Sequence, residues 1–372
     1  MPRPRVLVVD DAVVVRRIVT DVLNEDPDLE VVGTASNGKI ALQKIPQLNP
    51  DIVTLDVEMP EMNGLETLVA IRASYPRLPV IMFSTLTDRG TSATMDALLK
   101  GANDYVTKPA NVGSVTEAMA QVRDQLVPKV HALCGLGRPN LSPPTAPRAA
   151  GAPQRPAAVS PRPTTRPTRR QAAVEAVVIG VSTGGPNALA ELIPALPADL
   201  QVPVLIVQHM PPMFTRLLAE RLHGHTPLTV TEAVDGEPID AGHIYIAPGD
   251  HHLEVVKSAG AMRTKITRGP LENSCRPAAD VLFRTAAAAW GAGTLCVVLT
   301  GMGNDGRRGT EHVVEAGGHV IVQDQATSVV WGMPGAVANA GLADEIVPLE
   351  QVAERIRTLV HATPRRPAGV RA

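Results

Sequence analysis

The sequence predicts two α/β domains, each built on a parallel sheet, joined by a Pro-rich segment. The chain has 372 residues, more than a single ordinary core accommodates. Short apolar runs alternate with amphipathic stretches in both halves, a pattern typical of strands separated by helices. Between the halves, residues 128–173 contain ten Pro, eight Lys or Arg and no Asp or Glu. Such a composition cannot bury a core and predicts a disordered basic linker.

The predicted strands are the apolar runs of each half. In the first half, which we place at residues 1–127, they are RVLVV (5–9), EVVGTA (30–35), DIVTL (51–55), PVIMF (79–83) and DYV (104–106). In the second half, residues 174–362, they are VVIGV (177–181), VPVLIVQ (202–208), HIYIAP (243–248), LCVVLT (295–300) and HVIVQD (319–324). We expect the helices between the strands to cover both faces of each sheet. We also expect residues 363–372 to form a flexible tail. Ligands of such sheets bind beyond the carboxyl ends of the strands.

Composition restricts the location and the partners. Aromatic residues make up only 2% of the chain, so few side chains can stack on bases, and we expect no nucleic-acid partner. Three widely spaced cysteines give neither a disulfide framework nor a Cys-x-x-Cys metal site. The opening MPRPRVLVVDD has too short an apolar run for a signal peptide, and no stretch approaches the ~18–20 apolar residues of a membrane span. We therefore expect a cytoplasmic protein without direct membrane insertion.

Polar residues follow the strands of the first half at one sheet edge. Asp10 and Asp11 end the first strand, Asp56 the third and Ser84 the fourth, and Lys108 follows the fifth. Three converging carboxylates repel one another unless a divalent cation lies among them, and oxygen ligands suit Mg²⁺. With the cation bound, Asp56 could attack a phosphoryl group. Lys108 would pair with the phosphate, and Ser84 would follow as a mobile donor.

These motifs, VLVVDD, DIVTLDVEMPEMNGLE, VIMFSTLT and DYVTKP, resemble those of the receiver domain of two-component signalling over residues 5–125. The resemblance implies a flavodoxin-like fold with a five-stranded parallel sheet. It also implies that Asp56 takes phosphate from a histidine kinase, with Mg²⁺ held by Asp10, Asp11 and Asp56. We expect phosphorylation to move Ser84 and Tyr105, with Lys108 on the phosphate.

The stretch VVIGVSTGGP runs from a predicted strand into a Gly-rich turn that contains Ser182. This serine could be a helix cap, part of a phosphate loop or a nucleophile. His209 ends the next strand and Asp305 follows a later one, so a Ser-His-Asp set could form at one sheet edge. The pattern of residues alone leaves these three alternatives open.

The stretch GMGNDG (301–306) supports a different interpretation. It fits the G-x-G-x-x-G fingerprint of dinucleotide-binding domains, and Asp324 lies at a suitable distance after it. Its late position in the domain argues against a dinucleotide site, because the fingerprint normally follows the first strand. A receiver-controlled dinucleotide-binding enzyme and a non-catalytic interaction module are the two alternatives to a hydrolase.

The second half resembles the catalytic domain of the chemotaxis protein-glutamate methylesterase family (CheB) over residues 176–360. The motifs are VVIGVSTGGP, VQHMPPMFTRLLAERL, AGHIYIAPGDHHLEV, RPAADVLFRTAA, LTGMGNDGRRG and WGMPGAVANAGLAD. The resemblance implies a Ser182, His209 and Asp305 triad that hydrolyses glutamate γ-methyl esters on chemoreceptor cytoplasmic helices and deamidates receptor glutamines. The resemblance also implies that ester hydrolysis needs no cofactor.

Four further residues are candidates for roles around the triad. The backbone amides of Thr183 and Met302 are candidates for the oxyanion hole. Cys275 stands where the family often has His, and it and Arg276 are candidates for the substrate cleft. We also expect the unphosphorylated receiver to cover the cleft, so that phosphate on Asp56 activates the enzyme.

Overall fold

The structure is a computed structural model that describes residues 3–85, 87–109, 114–135 and 172–362. Residues 136–171 of the predicted linker and the predicted tail, 363–372, lie outside the described residues. Both α/β domains are present, in the predicted order along the chain.

The first domain is a five-stranded parallel sheet in the order β2-β1-β3-β4-β5, as predicted. Its elements are β1 (Arg5–Val9), α1 (Val13–Asn24), β2 (Glu30–Ala35), α2 (Gly38–Leu48), β3 (Ile52–Asp56), α3 (Gly64–Ser74), β4 (Val80–Ser84), α4 (Asp88–Leu99), β5 (Asp104–Thr107) and α5 (Val115–Leu133). The direction of winding reverses between β1 and β3. Their carboxyl ends therefore border the crevice in which ligands of doubly wound sheets bind.

Helix α5 extends beyond the predicted end of the first domain. The boundary at residue 127 rests on Pro128, yet the helix continues through this proline to Leu133. Leu126 and Val130, on either side of the proline, are both fully buried in the first domain's core. Their burial offsets the local cost of a proline inside a helix, so the first domain reaches at least Leu133.

The second domain is a seven-stranded parallel sheet in the order β14-β13-β12-β6-β7-β9-β8. Its strands are β6 (Ala176–Val181), β7 (Val204–Gln208), β8 (Thr229–Glu232), β9 (His243–Ile246), β12 (Thr294–Val298), β13 (His319–Gln323) and β14 (Glu345–Val347). Its helices are α6 (Gly185–Ala195), α7 (Phe214–His223), α8 (Ala279–Trp290), α9 (Arg307–Glu315), α10 (Met333–Asn339) and α11 (Leu349–His361). The winding reverses between β6 and β12, so the residues after these two strands lie at the switch point.

Two short edge strands and a hairpin in this domain were not predicted from the sequence. Strands β8 and β14 have four and three residues, too few to form a clear apolar run. The hairpin pairs β10 (His252–Ser258) with β11 (Ala261–Thr267) in antiparallel fashion, across a turn in which Ala259 and Gly260 have positive φ. Its strands mix polar and apolar residues, because only one face is packed on the domain.

The two domains pack against each other through α4 and the β5 edge of the first domain and α6 and α7 of the second. One apolar cluster contains buried residues of both domains, among them Met95, Tyr105, Phe214 and Leu218. None of the described helices is long and apolar enough to cross a bilayer.

Candidate active site and receiver site

Three carboxylates lie close together at the edge of the first sheet. One carboxylate oxygen from each of Asp10, Asp11 and Asp56 lies within 4.8 Å of the others. Lys108 Nζ lies 2.9 Å from Asp10 Oδ2 and 2.8 Å from Asp56 Oδ1. Asp56 Oδ2 is buried and accepts no hydrogen bond from the described residues. A cavity of about 270 Å³ opens beside Asp56, and its lining includes Asp11, Glu58 and Lys108.

The environment of Asp56 accounts for its protonation behaviour. Burial and the neighbouring charge of Asp10 raise the pKa of Asp56 to about 6, although Lys108 and a backbone hydrogen bond act in the opposite direction. A divalent cation among the three carboxylates would relieve this repulsion and satisfy the unpaired Asp56 oxygen. The donor set therefore fits Mg²⁺, which prefers a few carboxylate oxygens and water.

Two residues expected to respond to phosphorylation lie beside α4 and at the domain interface. Ser84 is fully buried, and its hydroxyl lies 3.2 Å from the Gly90 backbone oxygen. Tyr105 is 8% exposed and stacks on Phe214 of α7, with ring centroids 4.5 Å apart. A residue of the receiver sheet thus contacts the second domain directly.

Ser182 lies on the turn between β6 and α6, at the switch point of the second sheet. Gly184 in this turn has φ +78°, a conformation that strongly favours glycine. Gly301 after β12 approaches the serine so closely that a Cβ at 301 would lie 2.8 Å from Ser182 Cβ. The two glycines allow the turn and its neighbouring loop to pack around an accessible serine.

Asp305 is held rigidly in the buried part of the site. Its Oδ2 accepts hydrogen bonds from His209 Nε2 at 2.7 Å and from the Ala279 amide at 2.6 Å. Its Oδ1 accepts from Asn273 Nδ2 at 2.8 Å and from the Asp280 amide at 3.2 Å. Two of these donors belong to the first turn of α8, where free amides favour an anion. The carboxylate that orients His209 is therefore fixed by a helix N-terminus.

The surroundings of the His209 imidazole favour its protonated form. Burial alone would lower the pKa of His209, but its contacts with Asp305 and Cys275 raise it to about 10. Burial would likewise raise the pKa of Asp305, and the contact with His209 and the two backbone donors lower it instead. Both shifts favour an imidazolium-carboxylate pair.

The predicted Ser182–His209 contact is not formed in this arrangement. His209 Nε2 is bonded to Asp305, and Nδ1 lies 3.7 Å from Cys275 Sγ. The Ser182 hydroxyl is not among the imidazole's partners within the described part of the chain. Of the two ring nitrogens, Nδ1 is the one that is not bonded to Asp305, and Cys275 is its hydrogen-bond partner among the described residues.

The first domain lies directly on the turn that carries Ser182. Thr183 Oγ1 donates to Asp104 Oδ2 at 2.7 Å, and the Gly184 amide donates to the Asn103 carbonyl at 3.1 Å. Asn187 Nδ2, one turn into α6, donates to the Ala102 carbonyl at 2.8 Å. These three bonds join the loop before β5 to the turn after β6.

The other predicted site residues lie close to this region. Thr183 is buried and Met302 is half-buried. Arg276 donates through Nε and Nη2 to Asp250 Oδ1 and through Nη1 to the Gly269 carbonyl. The Arg276 guanidinium therefore already pairs with a carboxylate of its own domain.

Gly301, the first glycine of GMGNDG, packs against the turn that carries Ser182. A Cβ at Gly301 would lie 2.5 Å from Met333 Sδ. The Gly301 amide donates to the Val330 carbonyl at 2.9 Å, and its carbonyl accepts from the Met333 amide at 2.8 Å. Residues 330–333 thus supply the hydrogen-bond partners of the Gly301 amide and carbonyl. The interpretation of GMGNDG as a dinucleotide site is not favoured.

Three residues that were not predicted from the sequence support the site, namely Asn273, Asp280 and Gln208. Asn273 bridges Asp305 and Asp280, with 2.8 Å to a carboxylate oxygen of each. Gln208, at the end of β7, is buried and donates to the Ser182 carbonyl at 3.0 Å. A glutamine at the end of an otherwise apolar strand is a visible anomaly in the sequence, whereas nothing in the sequence marks Asn273.

Fold and site together define a class of protein: a receiver domain joined to a parallel α/β domain with Ser, His and Asp at the carboxyl edge of its sheet. Two family models match the chain, "Response regulator receiver domain" over residues 6–120 and "CheB methylesterase" over residues 177–356. The chain is similar to the protein-glutamate methylesterase/protein-glutamine glutaminase of Nocardioides sp. strain JS614, with 53% identity covering 99% of both chains. It is also similar to that of Trichodesmium erythraeum, with 51% identity covering 96% of this chain and 99% of the relative.

A solved structure, the Thermotoga maritima CheB methylesterase catalytic domain, shares 42% identity, covers 52% of this chain and 100% of its own, and has a TM-score of 0.49. The chain belongs to the family of protein-glutamate methylesterases/protein-glutamine glutaminases.

Proposed function

We propose that this protein hydrolyses glutamate γ-methyl esters on the cytoplasmic helices of chemoreceptors and deamidates receptor glutamines, under control of its receiver domain. The observation that carries the proposal is the 2.7 Å bond between His209 and Asp305 beside the Ser182 turn, in a chain that belongs to this family. The protein acts in the cytoplasm, where its phosphodonor and the receptor helices are accessible.

The proposed reaction is a two-step acyl transfer. Ser182 Oγ attacks the ester carbonyl while His209 Nδ1 takes the hydroxyl proton, and the imidazolium then protonates the departing methanol. Asp305 holds the ring and stabilises the imidazolium through Nε2. Water hydrolyses the acyl-enzyme by the reverse proton path and releases glutamate. The same steps on a glutamine amide release ammonia, and the mechanism invokes no metal ion.

Backbone amides stabilise the tetrahedral oxyanion in this mechanism. Thr183 follows the nucleophile on the turn, and Met302 follows Gly301, whose backbone packs against Ser182. We assign their amides to this role. Cys275 and Arg276 line the substrate cleft in the proposal, with Cys275 against the base and Arg276 shaping the rim through its pair with Asp250.

Control of this reaction comes from Asp56. A histidine kinase supplies the phosphoryl group, which Asp56 accepts, and Lys108 pairs with the resulting phosphate. Asp10, Asp11 and Asp56 would hold Mg²⁺, which would neutralise charge on the phosphoryl oxygens during transfer. Phosphorylation rearranges Ser84 and Tyr105, and the stacked Tyr105–Phe214 pair carries that change to the domain interface. The covered arrangement then gives way to an open one.

Replacing Asp104 by Ala tests this cover. The variant removes the acceptor of the Thr183 hydroxyl, and hydrogen bonds to charged groups contribute about 1.5–3 kcal/mol. We therefore expect phosphate-free methanol release to rise about tenfold, with little change in the phosphorylated rate. Glu25→Gln is the control, because Glu25 pairs with Arg123 inside the receiver at 2.8 Å. An unchanged basal rate in a variant of normal melting temperature would contradict a cover that uses this contact.

The proposed function is tested by methanol release from receptor membranes carrying labelled methyl esters. Wild-type protein with Mg²⁺ and a small phosphodonor is expected to release methanol. The Asp56→Asn variant should release methanol at the same rate with the phosphodonor as with buffer alone. Ammonia release from receptor glutamines is measured on the same membranes. If confirmed phosphorylation of Asp56 produces neither methanol nor ammonia, the hydrolase proposal fails and a non-catalytic interaction module takes its place.

A further inference from the structure

Gln208 is a buried polar side chain that contacts the backbone of both Ser182 and His209. It ends strand β7 and is 2% exposed. Its Nε2 donates to the Ser182 carbonyl at 3.0 Å and, more weakly, to the His209 carbonyl at 3.4 Å. One side-chain amide therefore ties the peptide after the nucleophile to the peptide after the base.

The orientation of this amide follows from its neighbours. Two carbonyl oxygens face one end of the side chain, and only the NH₂ group can donate to both. The opposite end, Oε1, is buried and accepts no hydrogen bond from the described residues. A buried amide oxygen without a donor is unfavourable, so the two donated bonds, rather than general stability, account for a glutamine here.

Helix α6 is shaped to leave room for Gln208. A Cβ at Gly185, the first residue of that helix, would lie 1.9 Å from Gln208 Oε1. Any side chain at position 185 would displace the amide. Gly185 and Gln208 thus form a matched pair beneath the Ser182 turn.

We propose that Gln208 is a positioning residue that sets the separation between the Ser182 hydroxyl and the His209 imidazole. This inference rests on the proposed function of those two residues. They lie on loops that leave neighbouring strands. Besides the Gln208 side chain, a hydrogen bond from the His209 backbone amide to the Val181 carbonyl, 3.2 Å long, joins the two loops. In the covered state the hydroxyl and imidazole do not bond each other, so the backbone must hold them ready for reaction.

Gln208→Met tests the inference, because methionine keeps a similar volume and loses both donated bonds. Small displacements of reacting groups lower rates by up to about a hundredfold, so we expect kcat to fall about 10- to 100-fold. KM should stay within about threefold, since Gln208 is buried away from substrate. Gly185→Ala is expected to give the same split between kcat and KM, because its methyl group displaces the same amide.

The matched control is Val207→Ala on the same strand. Val207 is fully buried and packs in the core cluster on the other face of the sheet. Its truncation lowers stability without touching the amide. Equal loss of kcat in Val207→Ala and Gln208→Met at equal melting temperature would overturn the positioning role.

Gln208→Glu adds a pH dependence of kcat that would not be expected if Gln208 served only packing. An ionised glutamate would face two carbonyl oxygens, whereas the protonated acid can donate a hydrogen bond to one of them. Burial favours the protonated form. We expect the ratio of variant to wild-type kcat to rise about tenfold from pH 9 to pH 6, and the ratio for Gln208→Met to stay flat.

The outcomes separate this inference from the proposed function. Absence of methanol release by wild type would defeat the proposed function. An active wild type with unchanged kcat in Gln208→Met and Gly185→Ala, or a flat ratio for Gln208→Glu, would defeat only the positioning role. A variant that does not fold leaves the other two substitutions to decide.

Discussion

Ser182→Ala is expected to lower the rate of methanol release by about 10⁶-fold, the loss typical of removing the nucleophile from a Ser-His-Asp set. The substitution removes one oxygen atom at the switch point and leaves the glycines around the turn unchanged. The melting temperature should therefore stay close to that of wild type. The measurement is release of labelled methanol from receptor membranes, with Mg²⁺ and a phosphodonor present so that Asp56 is phosphorylated.

A second readout assigns the loss to covalent chemistry. A serine-directed phosphonate should label wild-type protein at Ser182, should do so faster after phosphorylation, and should leave Ser182→Ala unlabelled. Ser258→Ala, on the exposed end of the β10 strand, is the matched control and should keep full activity and labelling. Wild-type rates of methanol release in Ser182→Ala would show that this serine is not the nucleophile.

The strand ends could be predicted because buried parallel strands are nearly continuous apolar runs. In both sheets the polar residue that breaks such a run lies at the carboxyl edge, where ligands of doubly wound sheets bind. Asp56 and Ser182 were singled out in this way. In the structure Asp56 lies beside Asp10 and Asp11, and His209 bonds Asp305, whereas the Ser182 hydroxyl does not bond His209.

The sequence could not reveal the contacts that fix the site. Asn273 reaches Asp305 from a loop, and Asp280 does so through the first turn of α8, so no helix or strand periodicity connects them. The predicted end of the first domain was placed too early because of Pro128. The packing of Val130 outweighs the local preference of proline to end a helix.

A receiver that covers the cleft was expected, but the residues that form the interface could not be identified, because residues buried between domains have the composition of a core. Tyr105 and Phe214 are as buried as residues inside either domain, and only their stacking across the boundary reveals the contact. The polar part of the interface was missed for another reason. Asp104 starts β5 and Thr183 follows the serine, and a 2.7 Å bond between residues 79 positions apart has no local pattern.

These interface hydrogen bonds suggest how the receiver domain could both cover the site and hold it in an inactive arrangement. The receiver holds Thr183 and Gly184, the two residues after the nucleophile, in the same structure in which Cys275 takes the free nitrogen of His209. In the proposed mechanism, opening the interface would free the turn to adjust, and the Ser182 hydroxyl would replace Cys275 as the partner of Nδ1.

Asp305→Asn is expected to reduce kcat by about 10³- to 10⁴-fold, although it changes the side chain by a single group. An asparagine here cannot satisfy its surroundings, because the carboxylate accepts four hydrogen bonds. If the amide oxygen faces His209, the NH₂ group meets the Asn273 and Asp280 donors. If the amide is turned round, its NH₂ meets the Ala279 amide and forces the His209 proton onto Nδ1, where the base must be free.

The pH dependence of this variant distinguishes orientation of the base from general damage. Neutral His209 is the base, so activity rises as the pH rises through its pKa. Asp305 raises the pKa of His209; the substitution therefore lowers it, and the acid limb of the kcat profile should move to lower pH even as the maximum falls.

Asp280→Asn is the matched control for Asp305→Asn. Asp280 is equally buried, bonds Asn273 and the Gly309 amide, and has no contact with His209. It should lower the melting temperature while leaving the acid limb of the kcat profile in place. Activity of Asp305→Asn within tenfold of wild type, or an acid limb that moves equally in both variants, would show that the carboxylate of Asp305 does not orient the base. The assignment of the site would then rest on Ser182 and His209 alone.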